Sequence, residues 1–322
     1  MPVLPELGPM LARVAQARQH PADPTQSVAD RRAAIHRGMD HRAATVALPA
    51  PPHVARRDHT VPLPDGDHLT VRSYHPGDGA GPRPAHVYVH GGGWWLGTLD
   101  HRDALCAHRA ANTGAVVVSV AHRPAPEHRY PAPVADVHAA LAWTAAEAGA
   151  LGVDPGLLTI GGDSSGANLA AAAALLARDR GGPRPAAQVL EIPALDLTLD
   201  IARAHAESDP GAVVLTFDEL AANVERYCDP DRRAEPYASP ALAADLAGLP
   251  PALIMTAEHD VLRGDGRAYA DRLAAAGVPV TLHEWPGHVH GSHDMTAAVP
   301  SALDWQAEVD AFLRAAVSGT RR

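Results

Sequence analysis

The stretch Leu158–Ala172, LTIGGDSSGANLAAA, passes from a strand-forming run through two adjacent serines flanked by glycine into an alanine-rich helical run. Ser164 is the centre of Gly162-Asp163-Ser164-Ser165-Gly166, whereas Ser165 would be centred between Asp163 and Ala167, which makes no motif. Small residues on both sides let a strand-to-helix turn tighten until the central serine stands clear of the sheet. The Ser165 amide, at the helix start, then points where an oxyanion would form. The bland alternative is a glycine-rich turn with Ser164 as a helix N-cap.

On either side of this turn, short β-rich runs alternate with alanine-rich helical stretches: AHVYVH, AVVVSVA, LLTIGG, AQVLEI, ALIMTAE and VTLHEW. That βαβ rhythm predicts a mostly parallel sheet. Upstream, Leu7, Leu11 and Val14 recur at helical spacing, and Ser27-x-x-Asp30 resembles a capping box opening a second helix with Val28, Ile35 and Met39 on one face. Arg56 to His75 reads as two strands joined by a turn at Asp65-Gly66, an antiparallel hairpin. From Pro193 to Pro250 the rhythm breaks for roughly sixty residues, where about 2 to 6 are usual, so that segment is a substructure of its own. Within it Thr216-x-x-Glu219 caps a helix with Leu220, Val224 and Tyr227 on one face. No internal repeat is evident. The expected division is N-terminal cap helices over 1–45, a first part of the core over 46–192, an insertion contributing to the cap over 193–250, and a second part of the core over 251–322.

The chain has 322 residues, 46% hydrophobic and 20% charged, which suits one sizeable globular core. All 27 basic residues are arginines, no basic stripe is present and the formal net charge is −10, which argues against a nucleic-acid partner. Cys106 and Cys228 form neither a disulfide framework nor a cysteine-based zinc pattern. With no signal-like N-terminus and no apolar run of membrane length, the expectation is a cytoplasmic protein without a membrane partner.

Two further places carry chemistry. In VYVHGGGWWLG a β run ends in His90-Gly91-Gly92-Gly93-Trp94, and consecutive glycines at a strand end present backbone N–H groups unobstructed by side chains, as an oxyanion hole requires. The alternative is a glycine hinge. Late in the chain, Asp260 follows ALIMTAE and His290 follows VTLHEW. A serine hydroxyl needs a histidine to take its proton, and that histidine needs an acid to fix its tautomer. His288 competes with His290 for the base, and Glu258 with Asp260 for the acid, although Glu258 would point the other way from a strand end. The cluster His283, His288, His290, His293 and Asp294 also admits a metal reading, against which stands the use of His290 as a base. No metal and no organic cofactor is expected.

In combination these motifs resemble the hormone-sensitive-lipase-like branch of the α/β-hydrolases, the family IV bacterial esterases. The resemblance spans nearly the whole chain: HGGGW at His90, HRPAPEH at His122 for the family's YRLAPEH, GDSSG at Gly162, EPYASP at Glu235, LPPALIMTAEHDVLR at Leu249 and PGHVHGS at Pro286. It implies an α/β-hydrolase fold, with a mostly parallel sheet, an antiparallel N-terminal hairpin, flanking helices and a helical cap. It implies Ser164 as nucleophile, Asp260 as triad acid and His290 as base, with Gly92, Gly93 and Ser165 donating N–H groups to the oxyanion and Gly91 mainly shaping the turn. The implied activity is hydrolysis of short- to medium-chain carboxylic esters through an acyl-enzyme, on a small-molecule substrate. A metabolite-specific deacetylase or tailoring hydrolase would use the same triad, and a non-catalytic binding protein of this fold would lack part of it. The chain departs from the family at Ser292, His122 and Ala167, which bears on pocket shape and the His290 loop. Trp94, Val214 and Leu215, with Val213, Phe217 and Trp95, are candidate pocket walls, each equally readable as core. A homodimer is compatible with the chain.

Overall fold

In the central strands, side chains alternate between two faces, and the burial follows that period of two. Val87, Val89, Val118, Ile160, Leu190 and Ile254 enter one large apolar cluster, whereas Tyr88 and Val117 enter a second and Val189, Leu253 and Met255 a third on the opposite face. A strand buried on both faces needs helices on both, so the sequence forms a three-layer sandwich. The computed structural model describes residues 1–19, 25–77, 81–209 and 211–318.

The strands are β1 (Ala55–Pro62), β2 (His68–His75), β3 (Arg83–Val89), β4 (Val116–Ala121), β5 (Val153–Asp163), β6 (Gln188–Glu191), β7 (Ala252–His259) and β8 (Val280–Val289). They form one eight-stranded sheet in the order β1-β2-β4-β3-β5-β6-β7-β8. β1 with β2 and β2 with β4 run antiparallel, and every other neighbouring pair is parallel. The helices are α1 (Gly8–Gln19), α2 (Val28–Val46), α3 (Asp103–Thr113), α4 (Ala132–Ala146), the single turn α5 (Ala148–Leu151), α6 (Ser165–Arg180), α7 (Asp200–Ser208), α8 (Phe217–Tyr227), α9 (Arg263–Ala275) and α10 (Pro300–Ser318). Residues of α4, α6 and α9 join the large cluster, and residues of α3 and α10 cover the other face. Among the described residues no helix is long and apolar enough to cross a membrane.

The six expected core strands, the hairpin around Gly66 and both capping signals are present. Ser27 Oγ accepts the Asp30 amide at 3.1 Å, and Thr216 with Glu219 forms a reciprocal capping box. Two strands run longer than their sequence patterns. β5 starts at Val153, where an irregularity between Arg83 and Ala85 on its partner absorbs a turn closed by Gly156 N–H donating to Asp154. β8 continues past Trp285 because Gly287, at φ +72°, breaks the register with β7 and lets the strand resume to Val289.

The Pro193–Pro250 segment holds α7 and α8 and is tied to the N-terminal helices. Arg18 of α1 donates to the carbonyls of Val213 and Val214, both at 3.0 Å, and pairs with Glu219. A small apolar cluster of Leu7, Val289, Met295, Val299 and Ala302, joined by Val213 and Val214, forms where the N-terminus meets the end of β8. The switch in strand order falls at β3, whose neighbours β4 and β5 lead the chain in opposite directions. The crevice beyond the carboxyl ends of β3 and β5 is where such sheets bind ligands.

Among the buried histidines are His86, His90, His122 and His288. Burial is the main cause that lowers each pKa, to about 3 for His90 and about 4 for His288. In the unfolded chain they titrate near about 6.5, so as pH falls below that value the unfolded state takes up protons that the folded state refuses. Stability held by neutral histidines is therefore present above about pH 6.5 and is lost as pH falls toward the folded-state values. The melting temperature should decline steadily between about pH 7 and about pH 4; a flat profile across that window, measured by circular dichroism, would contradict this account.

Candidate active site

Ser164 sits between β5 and α6 with φ +55° and ψ −119°, a conformation that side-chain-bearing residues rarely adopt. Its cost, about 1 to 3 kcal/mol, must be met by the surroundings. The surroundings are backbone: a Cβ on Gly162 would lie 2.3 Å from the Val89 carbonyl oxygen, and one on Gly166 would lie 2.1 Å from the same atom. Only glycine at both flanks lets β3 and the start of α6 close on the turn. Ser164 N–H donates to the Glu191 carbonyl at 2.8 Å, and although the serine occupies the N-cap position of α6 it makes no side-chain cap bond, so its hydroxyl is not spent on capping.

Three segments distant in sequence meet here. His290 Nε2 lies 3.0 Å from Ser164 Oγ, and His290 Nδ1 lies 2.8 Å from Asp260 Oδ2. Asp260 is 2% exposed, and its Oδ1 accepts the Leu262 amide at 3.0 Å. With a carboxylate at Nδ1 the proton belongs there, which leaves Nε2 bare to accept from the serine hydroxyl. The competing residues are engaged elsewhere. Glu258 accepts the Gly287 amide at 2.7 Å and pairs with the Met1 ammonium, while His288 lies between Ser292 and Ser301, at 2.8 Å from each hydroxyl. His283 pairs with Glu308 and stacks on Trp285, and among the described residues no group of three His, Cys, Asp or Glu is arranged to hold a metal.

After β3 the chain turns through Gly92, at φ +136°, and Gly93, at φ +61°. A Cβ on Gly92 would meet the Leu96 carbonyl oxygen at 2.3 Å, and one on Gly93 would meet the Asn223 side chain at 2.8 Å. Gly91 N–H donates to Asp163 Oδ1 at 3.0 Å, which commits that amide to holding the turn. Asp163, the residue before the serine, also accepts from Tyr88 Oη at 2.5 Å and from Arg102 Nη2 at 2.7 Å. Burial is the strongest single influence and opposes ionisation, but Arg102, with help from His293 and Tyr88, holds the Asp163 carboxyl well below the usual range. Arg102 reaches on to Asp294 at 2.9 Å, and Arg42 of α2 pairs with Asp294 and donates to the Gly291 carbonyl. This chain of charges, buried at Asp163 and Arg102 and half-buried at Arg42, joins the glycine turn, the serine turn, the histidine loop and an N-terminal helix. The sequence reading missed Arg42, Arg102 and Tyr88; the one available signal was an aspartate fixed between a glycine and the serine.

The candidate pocket residues take varied places. Trp94, 1% exposed and at φ +63°, stacks on Tyr227 at 4.7 Å and donates its indole N–H to Asn168 at 3.1 Å. Trp95 donates to Asn223 at 2.9 Å. Val213 and Val214 pack against the small cluster that includes Val289, whereas Leu215 and Phe217 lie against the large core. His122 stacks on His90 with centroids 4.8 Å apart, and Ala167 is fully buried. A cavity of about 480 Å³ lies between the end of α2, α3 and α10, but Ser164, Asp260 and His290 do not line it. Convergence of reactive groups, not volume, locates the site.

The three-layer sheet, the strained serine turn at the end of β5 and the histidine and aspartate delivered by the ends of β8 and β7 define the class as a hydrolase built on a doubly covered parallel sheet. The model of the alpha/beta hydrolase fold family matches residues 86–294. The carboxylesterase NlhH of Mycobacterium tuberculosis is 40% identical over 257 residues, 79% of this chain and 80% of its own length. The ethyl acetate hydrolase of Pseudomonas putida is 34% identical over 270 residues, 83% of this chain and 84% of its own. The solved structure of a hyperthermophilic esterase from the archaeon Pyrobaculum calidifontis superposes with a TM-score of 0.88 at 37% identity, covering 98% of this chain and 100% of that one. The chain belongs to the α/β-hydrolase family, in its hormone-sensitive-lipase-like branch.

Because the atoms facing Gly166 are backbone, Gly166→Ala has no flexible neighbour to displace. It should cost about 3 kcal/mol or more, the upper range for overpacking, read as a lower urea midpoint. Wild-type stability in this variant would show that β3 can retreat from the turn.

Proposed function

We propose that the chain hydrolyses carboxylic esters through a covalent acyl-enzyme on Ser164. Ester hydrolysis is the activity named for the relatives, and one observation carries the mechanism: the unbroken series Ser164 Oγ, His290, Asp260 at 3.0 and 2.8 Å. Beside the serine, the amides of Gly92, Gly93 and Ser165 are the candidate oxyanion donors.

His290 Nε2 takes the hydroxyl proton as Ser164 Oγ attacks the ester carbonyl, and Asp260 stabilises the imidazolium that results. Negative charge gathers on the former carbonyl oxygen, where preorganised N–H groups stabilise it more than they stabilise the neutral ester. Collapse expels the alcohol, which receives its proton from His290. Water, deprotonated by the same nitrogen, then attacks the acyl group and frees the acid. No step calls for a metal or an organic cofactor.

Residues 1–45 and 193–250 serve as the cap over this site. In support, Arg32 of α2 donates to the carbonyls of Trp95 at 2.8 Å and Ala125 at 2.7 Å, and His36 accepts the Gly97 amide at 3.2 Å, so α2 lies against the glycine turn. From the other side Asn223 of α8 touches Gly93 and Trp95. A cap packed this closely on the glycine turn suits short to medium acyl chains, and a relative named for ethyl acetate is in keeping with that size.

Ser164→Ala should abolish hydrolysis of p-nitrophenyl esters, whereas Ser165→Ala, which keeps its backbone N–H, should retain most of it. Equal loss from both, with folding intact, would refute the assignment. An organophosphonate should modify Ser164 alone, as read by peptide mass spectrometry. Asp260→Asn should lower kcat by up to ~10⁴, the scale for a triad acid whose loss leaves the histidine in the wrong tautomer. Glu258→Gln should do far less, and a reversed ranking would move the acid to Glu258.

A further inference from the structure

The loop that carries His290 is held by a device outside the triad. Ser292 Oγ lies 2.8 Å from the Val289 carbonyl oxygen, 3.2 Å from the Val289 amide and 2.8 Å from His288 Nδ1. A hydroxyl has one proton and two lone pairs. Its proton goes to the Val289 carbonyl, so it accepts from the Val289 amide and from His288, which must therefore carry its proton on Nδ1. The other ring nitrogen of His288 then accepts from Ser301 Oγ, 2.8 Å away in the first turn of α10. His288 and Ser292 are both 0% exposed, and the imidazole lies against Trp285 and Trp305, with centroids 5.7 and 5.4 Å away. Neither residue bonds to Ser164 or Asp260.

Ser292 thus grips both the N–H and the C=O of the residue immediately before His290. The position usually held by an aromatic in the family carries a hydroxyl here, and a buried histidine is placed to receive it. We propose that His288 and Ser292 are a positioning pair for His290: His288 orients the Ser292 hydroxyl, and Ser292 closes the turn that sets the imidazole of His290 between Ser164 and Asp260. The inference rests on His290 being the base. It makes the bond from His288 to Ser292, more than the bond to Ser301, the one that governs catalysis.

Two substitutions separate the bonds. The Asn amide of His288→Asn falls where Nδ1 stands and can still donate to Ser292, whereas the longer Gln of His288→Gln reaches toward Ser301 instead. On p-nitrophenyl acetate, His288→Gln and Ser292→Ala should each lower kcat about 10- to 100-fold, the scale of a catalytic group displaced by about 1 Å, with KM changed by less than about twofold. His288→Asn should stay within about threefold of wild type. Adding Ser292→Ala to His288→Gln should cost nothing further, since the two act through one bond.

A readout independent of turnover accompanies these rates. In a Ser164→Ala background, the low-field proton on His290 Nδ1 should be sharp with His288 or Asn at position 288 and broadened by His288→Gln or Ser292→Ala. Equal losses from His288→Asn and His288→Gln would overturn the proposal, because they would show that the imidazole matters as packing. So would an unchanged kcat in Ser292→Ala. If Ser164→Ala itself hydrolysed esters, the functional reading would fail, while the His290 resonance would still decide whether the pair positions that ring.

Discussion

One carbonyl oxygen, that of Val89 at the end of β3, stands 2.3 Å from where a Cβ on Gly162 would be and 2.1 Å from where one on Gly166 would be. The central sheet can bring β3 and β5 into register only if both positions lack a side chain. With both glycines present, the strained backbone of Ser164 is enclosed from two sides and cannot relax. The same closeness sets the glycine turn after β3 beside the serine, so the constraint that strains the chain also gathers its polar groups.

What converts that proximity into a defined arrangement is buried charge. Asp163 is flanked by Gly162 and Ser164 in sequence, yet its carboxylate bonds to the glycine turn, to Tyr88 and to Arg102. Arg102 and Arg42 then share Asp294, four residues beyond His290. Removing one member of such a chain leaves a desolvated charge without its partner, which costs more than the intact pair contributes. Arginine suits each station, because a planar fork can serve a carboxylate and a carbonyl together, as Arg42 does with Asp294 and Gly291.

Features set by neighbouring residues were legible in the sequence. The hairpin at Asp65-Gly66, the Ser27 and Thr216 caps, the six core strands and the strand-turn-helix around Ser164 each depend on a few adjacent side chains. Pairing across the fold was not. Nothing near Gly93 announces that Asn223 will lie against it, and nothing near Gly291 announces Arg42, because such contacts are fixed by tertiary packing. Trp94 shows a local rule overridden: a tryptophan at φ +63° is unexpected, but the stack on Tyr227 and the bond to Asn168 hold it there. Spacing already favoured His290 over His288, and strand alternation favoured Asp260 over Glu258; the partners of His288 and Glu258 show where those two side chains are engaged instead.

The small cluster of Leu7, Val289, Met295, Val299 and Ala302 is separate from the large core that encloses Ser164's helix, so the serine turn and the residue before His290 are packed by different sets of apolar side chains. Units with fewer buried contacts open at lower free energy than the body of a domain. The contact between Ser164 and His290 therefore bridges the large cluster and the small one, and the two sides of the site do not share a single apolar core.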